Sequence, residues 1–152
     1  MVGLVLRDEN LVSFRSSEGL DLEEMVNIEF VNLSHNRLES IIAIRTLTTL
    51  KSININNNQI ASIDPLEPLE LLEEAFFCNN QVSDITALKR KKHLEKISLF
   101  GNKVYHHDNF LLCLKTLPNL KELSYEANPI ASKIELKHRI VLETTVRVLE
   151  DE

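Results

Sequence analysis

The chain has 152 residues, 43% of them hydrophobic and 26% charged, with 17 basic against 23 acidic side chains and a formal net charge of −6. That length suits one domain, and so many apolar residues exclude a disordered chain. The negative balance argues against direct binding of duplex nucleic acid, which needs a Lys/Arg surface to neutralise phosphates, and is compatible with a basic partner.

Aromatic residues make up 5% of the chain and Trp is absent, so the core must be aliphatic. Two cysteines cannot form a disulfide framework, and Cys78 and Cys113 are expected as free thiols on opposite sides of the coil. The first residues, MVGLVLRDEN, lack a basic stretch followed by an apolar run of secretory length. No stretch approaches the ~20 apolar residues of a membrane helix. These features predict an intracellular protein, cytoplasmic or nuclear, with no membrane contact.

Residues 1–25 form the expected N-terminal cap. Within it, Leu4 to Val12 reads as a degenerate edge strand in which Val5 and Asn10 fit the frame described next, while Arg7 occupies an apolar slot. A loop around Ser16–Gly19 and a short turn to Met25 follow.

Residues 26–130 carry five repeats. Asn36, Asn58, Asn80, Asn102 and Asn128 are spaced by 22, 22, 22 and 26 residues. Each closes one apolar frame, L-x-x-L-x-L-x-x-N-x-L, filled first by Ile28, Val31, Leu33, Asn36 and Leu38. Alternation in the middle of the frame predicts a strand with Val31 and Leu33 facing inward. The apolar pairs of later copies then stack on them: Ile53/Ile55, Ala75/Phe77, Ile97/Leu99 and Leu123/Tyr125. The asparagine falls where the chain bends, where its amide satisfies backbone groups that would otherwise be buried unpaired. These five positions therefore form a structural ladder.

In the return halves the apolar residues recur every third position, as at Leu38, Ile41, Ile44, Leu47 and Leu50. That period fits 3₁₀ turns better than an α-helix, and Pro65 and Pro68 reinforce it. In the third copy Lys91 breaks the period. The fourth is four residues longer, and Phe110, Leu111, Leu114 and Leu117 predict a true helix there, capped by Asp108 or Asn109. Residues 131–152 form the C-terminal cap: a helix over Ser132–Leu142 with Ser132 and Glu135 as a capping box, Ile134, Ile140, Val141 and Leu136 on its apolar side, then an extended Val146–Leu149.

A period of this length and filling is the signature of a leucine-rich repeat solenoid, an α/β fold with a parallel concave sheet, 3₁₀ or irregular convex segments and a helical cap. The repeats resemble the 22-residue class first recognised in a protein-phosphatase regulatory subunit. Asn128-Pro129-Ile130, His138-Arg139-Ile140-Val141-Leu142 and Val146-Arg147-Val148-Leu149-Glu150 are similar to that class's C-terminal cap. His138 stands where Tyr is usual, Thr144-Thr145 where Leu-Pro is usual, and Glu150 where Asp is usual. Small proteins of this type include the acidic leucine-rich nuclear phosphoproteins, the spliceosomal A-prime subunit and the leucine-rich axonemal dynein light chain. The resemblance implies action by binding another protein. Glu150-Asp151-Glu152 would match the start of an acidic tail like that of the nuclear phosphoproteins.

The residues two, four and six before each Asn should face out on the concave sheet. Phe76, Phe100 and Cys78, with Ser98 beside them, make the expected binding centre for a helix or extended peptide. Phe30 is an outlying anchor, Asn54 an adjoining polar contact, and Glu74, Glu122 and Glu126 select basic groups. The plainer alternatives are that the rings lie flat on neighbouring side chains or that the strand register is off by one. Lys89-Arg90-Lys91-Lys92-His93 reads as a solvated convex turn, with contact to an acidic partner or an RNA backbone as the alternative. His106, His107, His138 and Cys113 match no metal-ligand spacing. There is no Gly-rich phosphate loop, nucleophile elbow or paired-carboxylate cleft. The expectation is a monomeric, non-enzymatic interaction module without cofactor. The alternative is a component of a ribonucleoprotein or chromatin complex that reaches nucleic acid only through a protein partner.

Overall fold

The computed structural model describes residues 2–14, 25 and 27–148. The loop expected around Ser16–Gly19, Leu149 and the acidic tail lie outside them. Seven strands, β1 (Gly3–Val5), β2 (Phe30–Asn32), β3 (Ser52–Asn54), β4 (Glu74–Phe76), β5 (Lys96–Ser98), β6 (Glu122–Ser124) and β7 (Arg147–Val148), form one parallel sheet in chain order. Val31, Ile53, Ala75, Ile97 and Leu123 are aligned across β2 to β6 and buried at 0–2% exposure. Each turn of the chain buries its apolar pair against the next, so one continuous core runs the length of the sheet.

The return halves show why a period of three appears. Ile44 N–H donates to Ile41 O, Leu47 to Ile44 and Leu50 to Leu47 at 2.9–3.0 Å, so the apolar positions from Ile44 on each close an i→i−3 bond. Short 3₁₀ segments result at Ile42–Thr46, Asp64–Leu66 and Thr86–Leu88. The longer fourth copy instead accommodates α1 (His107–Lys115), with Phe110, Leu111, Cys113 and Leu114 buried. Asp108 and Asn109 lie inside α1 rather than capping it, since His106 holds the N-cap position without a side-chain bond. The Asp108 carboxylate still sits in the first turn, on the favourable end of the helix dipole.

Ser132 does not cap the final helix. Asn128-Pro129 starts a 3₁₀ turn over Pro129–Ser132, where the fixed proline φ suits the first position, and the Ser132 hydroxyl donates back to Pro129 O at 2.9 Å. The helix proper, α2, runs Ile134–Glu143 with Lys133 at its N-cap. Leu136 and Ile140, one turn apart, are its buried residues; Ile134 and Val141 are 77% and 57% exposed, so they do not supply its apolar side. Lys115 on α1 pairs with Glu143 on α2. Buried Val146 leads into β7, which pairs with β6 and closes the sheet.

At the front, the structure shifts the frame by one residue. Leu4 lies opposite Val31, and Leu6 N–H donates to Asn32 O as Leu33 N–H does to Asn54 O. Leu4 and Leu6 thus pack against the core, Val5 is 59% exposed, and Glu9 rather than Asn10 stands in the asparagine column. The shift packs two partly buried leucines on the core and leaves the Arg7 guanidinium in solvent, where the register through Val5 would have turned it inward.

Candidate protein-binding face

The asparagine ladder fixes the face. Asn58 Oδ1 accepts from Leu38 N–H at 3.0 Å, while its Nδ2 donates to Leu33 O and Ile55 O at 2.9 and 3.0 Å. Asn80, Asn102 and Asn128 repeat this pattern one turn further on each time. Asn36 does the same toward the N-terminal cap, accepting from Glu9 and Leu11 N–H and donating to Leu6 O and Leu33 O. Each bend is thereby tied to its neighbour through a buried amide, which holds the strands in register. The residue before each asparagine has positive φ: His35, Asn57, Asn79, Gly101 and Ala127, with Asp8 in the cap.

With the inward face assigned, the outward one follows. One row reads Asn32, Asn54, Phe76, Ser98, Ser124 along β2 to β6; a parallel row just beyond the strands reads Ser34, Asn56, Cys78, Phe100, Glu126. Phe76, Cys78, Ser98 and Phe100 therefore lie on adjoining turns, all half-buried. Phe30 is separate from them. Its ring covers Gly3, where an added Cβ would meet Phe30 Cδ1 at 2.7 Å, so this ring does lie on its neighbour.

Lys96 changes the picture of the acidic residues. Its Nζ lies 3.8 Å from Glu74 and 3.6 Å from Glu122, and Glu74 also accepts from the Ser52 hydroxyl at 3.2 Å. Two of the three carboxylates are thus already shared with a lysine, and Glu126 stands in the outer row. The Lys96 signal was visible as a basic residue aligned between two acids in a parallel register.

The outward amides also take fixed orientations. Asn32 Oδ1 accepts from Ser34 N–H at 3.0 Å and the Ser34 hydroxyl at 2.7 Å; Asn54 Oδ1 accepts from Asn56 N–H at 3.0 Å; Asn56 Oδ1 accepts from Cys78 N–H at 2.7 Å. Asn-x-Ser and Asn-x-Asn within a strand are the sequence signal for such side-chain-to-backbone bonds.

Among the other candidates, Lys91 is not part of a solvated turn. It occupies the slot of Leu47 and Leu69, is 1% exposed, and its ammonium donates to Glu67 O and Leu69 O at 3.1 Å each. Burial lowers its pKa below the ordinary lysine value. Lys89, Arg90, Lys92 and His93 are exposed. Cys78 and Cys113 are both free thiols. Cys113 is buried on α1, donates to Ile85 O and has its pKa pushed up to about 12 by desolvation, so it is an inert thiol. His107 faces Asp108 and Lys133, and His138 is exposed on α2. Among the described residues no three His, Cys, Asp or Glu side chains converge to hold a metal ion. No helix among them is long and apolar enough to cross a membrane. A recess of about 330 Å³ beside Asp84 and Tyr105, and one of about 380 Å³ between α1 and α2, both lie away from the concave rows.

Comparison with known proteins agrees with this geometry. A family model described as leucine-rich repeats, two copies, matches residues 26–68. A leucine-rich repeat protein of Leptospira interrogans superposes with a TM-score of 0.76 at 20% identity, over 93% of this chain and 35% of that one. The fold is a leucine-rich repeat solenoid. An internalin of Listeria monocytogenes gives 0.71 at 20% identity over 97% of this chain and 43% of its own, and internalin C2 of the same organism 0.65 at 24% over 98% and 70%. The chain thus spans less than half the length of the first two solenoids. A chain of the BIR3–SERK2 complex from Arabidopsis thaliana gives 0.58 at 20% identity, over 68% and 57%. No curated protein matches in sequence.

Proposed function

We propose that this chain is a non-enzymatic interaction module that holds a helix or extended segment of a partner protein on its concave sheet. One observation carries the reading: Phe76, Cys78, Ser98 and Phe100 gather on β4, β5 and the residues just beyond them, on the outward face. The adjoining fold is self-sufficient, since among the described residues no buried side-chain polar atom lacks a partner. Half-buried rings framed by small polar side chains suit the centre of a protein interface, and solenoids present extended concave surfaces for that purpose. Lys96 between Glu74 and Glu122 makes Glu126 the carboxylate best placed to meet a basic group. One of the similar structures is itself a chain from a two-protein complex.

The asparagine spacing and the Asn-Pro-led cap support placement with the small capped 22-residue class. A role in a ribonucleoprotein or chromatin complex, with nucleic acid reached through a protein partner, is favoured by the net charge of −6 alone. Capture of partners from lysate by the wild type and by Phe76→Ala/Phe100→Ala, at matched melting temperature, tests the reading. Selective loss of one partner from the double variant supports the concave site; identical capture by both proteins refutes it. Nuclease treatment of the same samples separates a direct protein partner from one bridged by RNA.

A further inference from the structure

We infer that the segment held on the concave sheet is a proline-rich chain in the polyproline II conformation; this rests on the concave reading above. The first ground is hydrogen-bond polarity. The acceptor oxygens of Asn32, Asn54 and Asn56 are all taken by backbone N–H groups, which fixes each amide's orientation without ambiguity. Among the described residues none of their Nδ2 groups has a partner, so this part of the face offers donors and asks for acceptors.

The second ground is charge. Glu74, Glu122 and Glu126 lie along the same face against one lysine, Lys96, shared between the first two, so the negative excess opposes a carboxylate or phosphate acceptor and does not oppose a neutral backbone carbonyl. An ordinary extended peptide also brings N–H groups to a donor surface. A run of prolines brings carbonyls alone, since proline has no backbone N–H.

The third ground is spacing and surface. From Asn54 on β3 to Ser98 on β5 is two strand spacings, about 9.6 Å. One turn of polyproline II advances about 9.3 Å in three residues. A chain laid across the strands thus sets one carbonyl over the Asn54 and Asn56 amides on the β3 turn and a proline ring one turn on over the β5 turn against Phe100, with Phe76 on β4 under the residues between. Aromatic-lined grooves take such rings because the helix is already ordered and loses little entropy on docking.

The test uses ¹⁵N-labelled protein and an acetylated, amidated oligoproline of about nine residues, beside a Gly-Ser peptide of equal length. Saturable shifts at the Asn54 and Asn56 side-chain amides and along β4 and β5 are expected with oligoproline alone. Asn54→Asp keeps the acceptor that Asn56 N–H needs and removes the outward donor. It, at unchanged melting temperature, and Phe76→Ala, with the fold retained, should each weaken binding about fivefold to tenfold. No shift with oligoproline, equal shifts with both peptides, or an unchanged affinity in Asn54→Asp overturns the inference. If oligoproline fails while capture of a lysate partner still requires Phe76 and Phe100, the concave site stands and its proline specificity falls. If capture is also insensitive to both rings, the two readings fall together.

Discussion

Asn58 at the inner bend and Asn54 on the concave sheet carry the same amide and turn its oxygen onto a backbone N–H, that of Leu38 in one case and of Asn56 in the other. They differ at the nitrogen. Asn58 Nδ2 donates to carbonyls of its own and the preceding turn, whereas Asn54 Nδ2 has no partner among the described residues. One residue type thus completes the fold on the inner side and leaves a donor unused on the outer side. The same division separates Phe77, buried at 0% exposure, from its neighbour Phe76 on the outward row. Alternation along the strand divides the phenylalanines, and the bend after the strand, where Asn57 holds positive φ, turns Asn58 inward; substitutions on either side should reveal the division.

The largest contrast is expected at the two phenylalanines. Phe77→Ala opens a core cavity and should cost about 4 kcal/mol in chemical denaturation, while Phe76→Ala, at a half-buried ring, should cost about 1 kcal/mol. Equal losses would place Phe76 in the core and remove the proposed site.

The next contrast uses one substitution at two asparagines. Asn80→Asp turns a carboxylate oxygen toward Ile55 O and Phe77 O and should cost about 3 kcal/mol or more at neutral pH. Protonation restores a donor, so the folded carboxyl pKa is raised and the loss should shrink as pH falls through it. Asn54→Asp should change stability by no more than about 0.5 kcal/mol at any pH, read from matched urea titrations.

Gly101 and Ala127 sharpen the comparison within the positive-φ column. Gly101→Ala adds a Cβ at φ +69° and 2.4 Å from Asn79 Oδ1, and should lower stability by about 2 kcal/mol. Ala127 already holds φ 54° with a Cβ, so Ala127→Gly should gain about 0.5 kcal/mol once the greater freedom of the unfolded chain is subtracted. Thermal unfolding of the pair reads both signs.

Lys91 breaks the rule that charges stay outside the stack, and Lys91→Met should gain about 1 kcal/mol by restoring an apolar slot. Its pKa is lowered in the folded state, so the unfolded chain binds more protons between that value and the ordinary lysine pKa. Wild-type stability should therefore climb relative to Lys91→Met as pH rises through that window, and the advantage of the variant should narrow.

Much of this was legible in the chain because the frame repeats. Five asparagines in one apolar context define strand, bend and core layer together, and three-residue spacing marks the 3₁₀ segments. Errors fell where the repeats stop or where one residue defies the pattern. At the N-terminus, Val5 and Asn10 matched two frame positions, yet Leu4 and Leu6 offered more apolar burial one step earlier. At the C-terminus, a capping-box pattern at Ser132 and Glu135 lost to the 3₁₀ turn that Pro129 initiates. Lys91 was hidden in a run of bases whose average suggested solvent. The outward rows were readable from alternation, but the direction of the Asn56 amide was not, because its oxygen accepts from Cys78 N–H a full turn away.

Side-chain amide hydrogen exchange tests the central division most directly. The Nδ2 protons of Asn36, Asn58, Asn80, Asn102 and Asn128 should be strongly protected, and those of Asn32, Asn54 and Asn56 should exchange nearly as fast as in an unstructured peptide. Equal protection of both sets would show that the outward amides are used up within the fold, which contradicts the account of a concave face that keeps its donors for a partner.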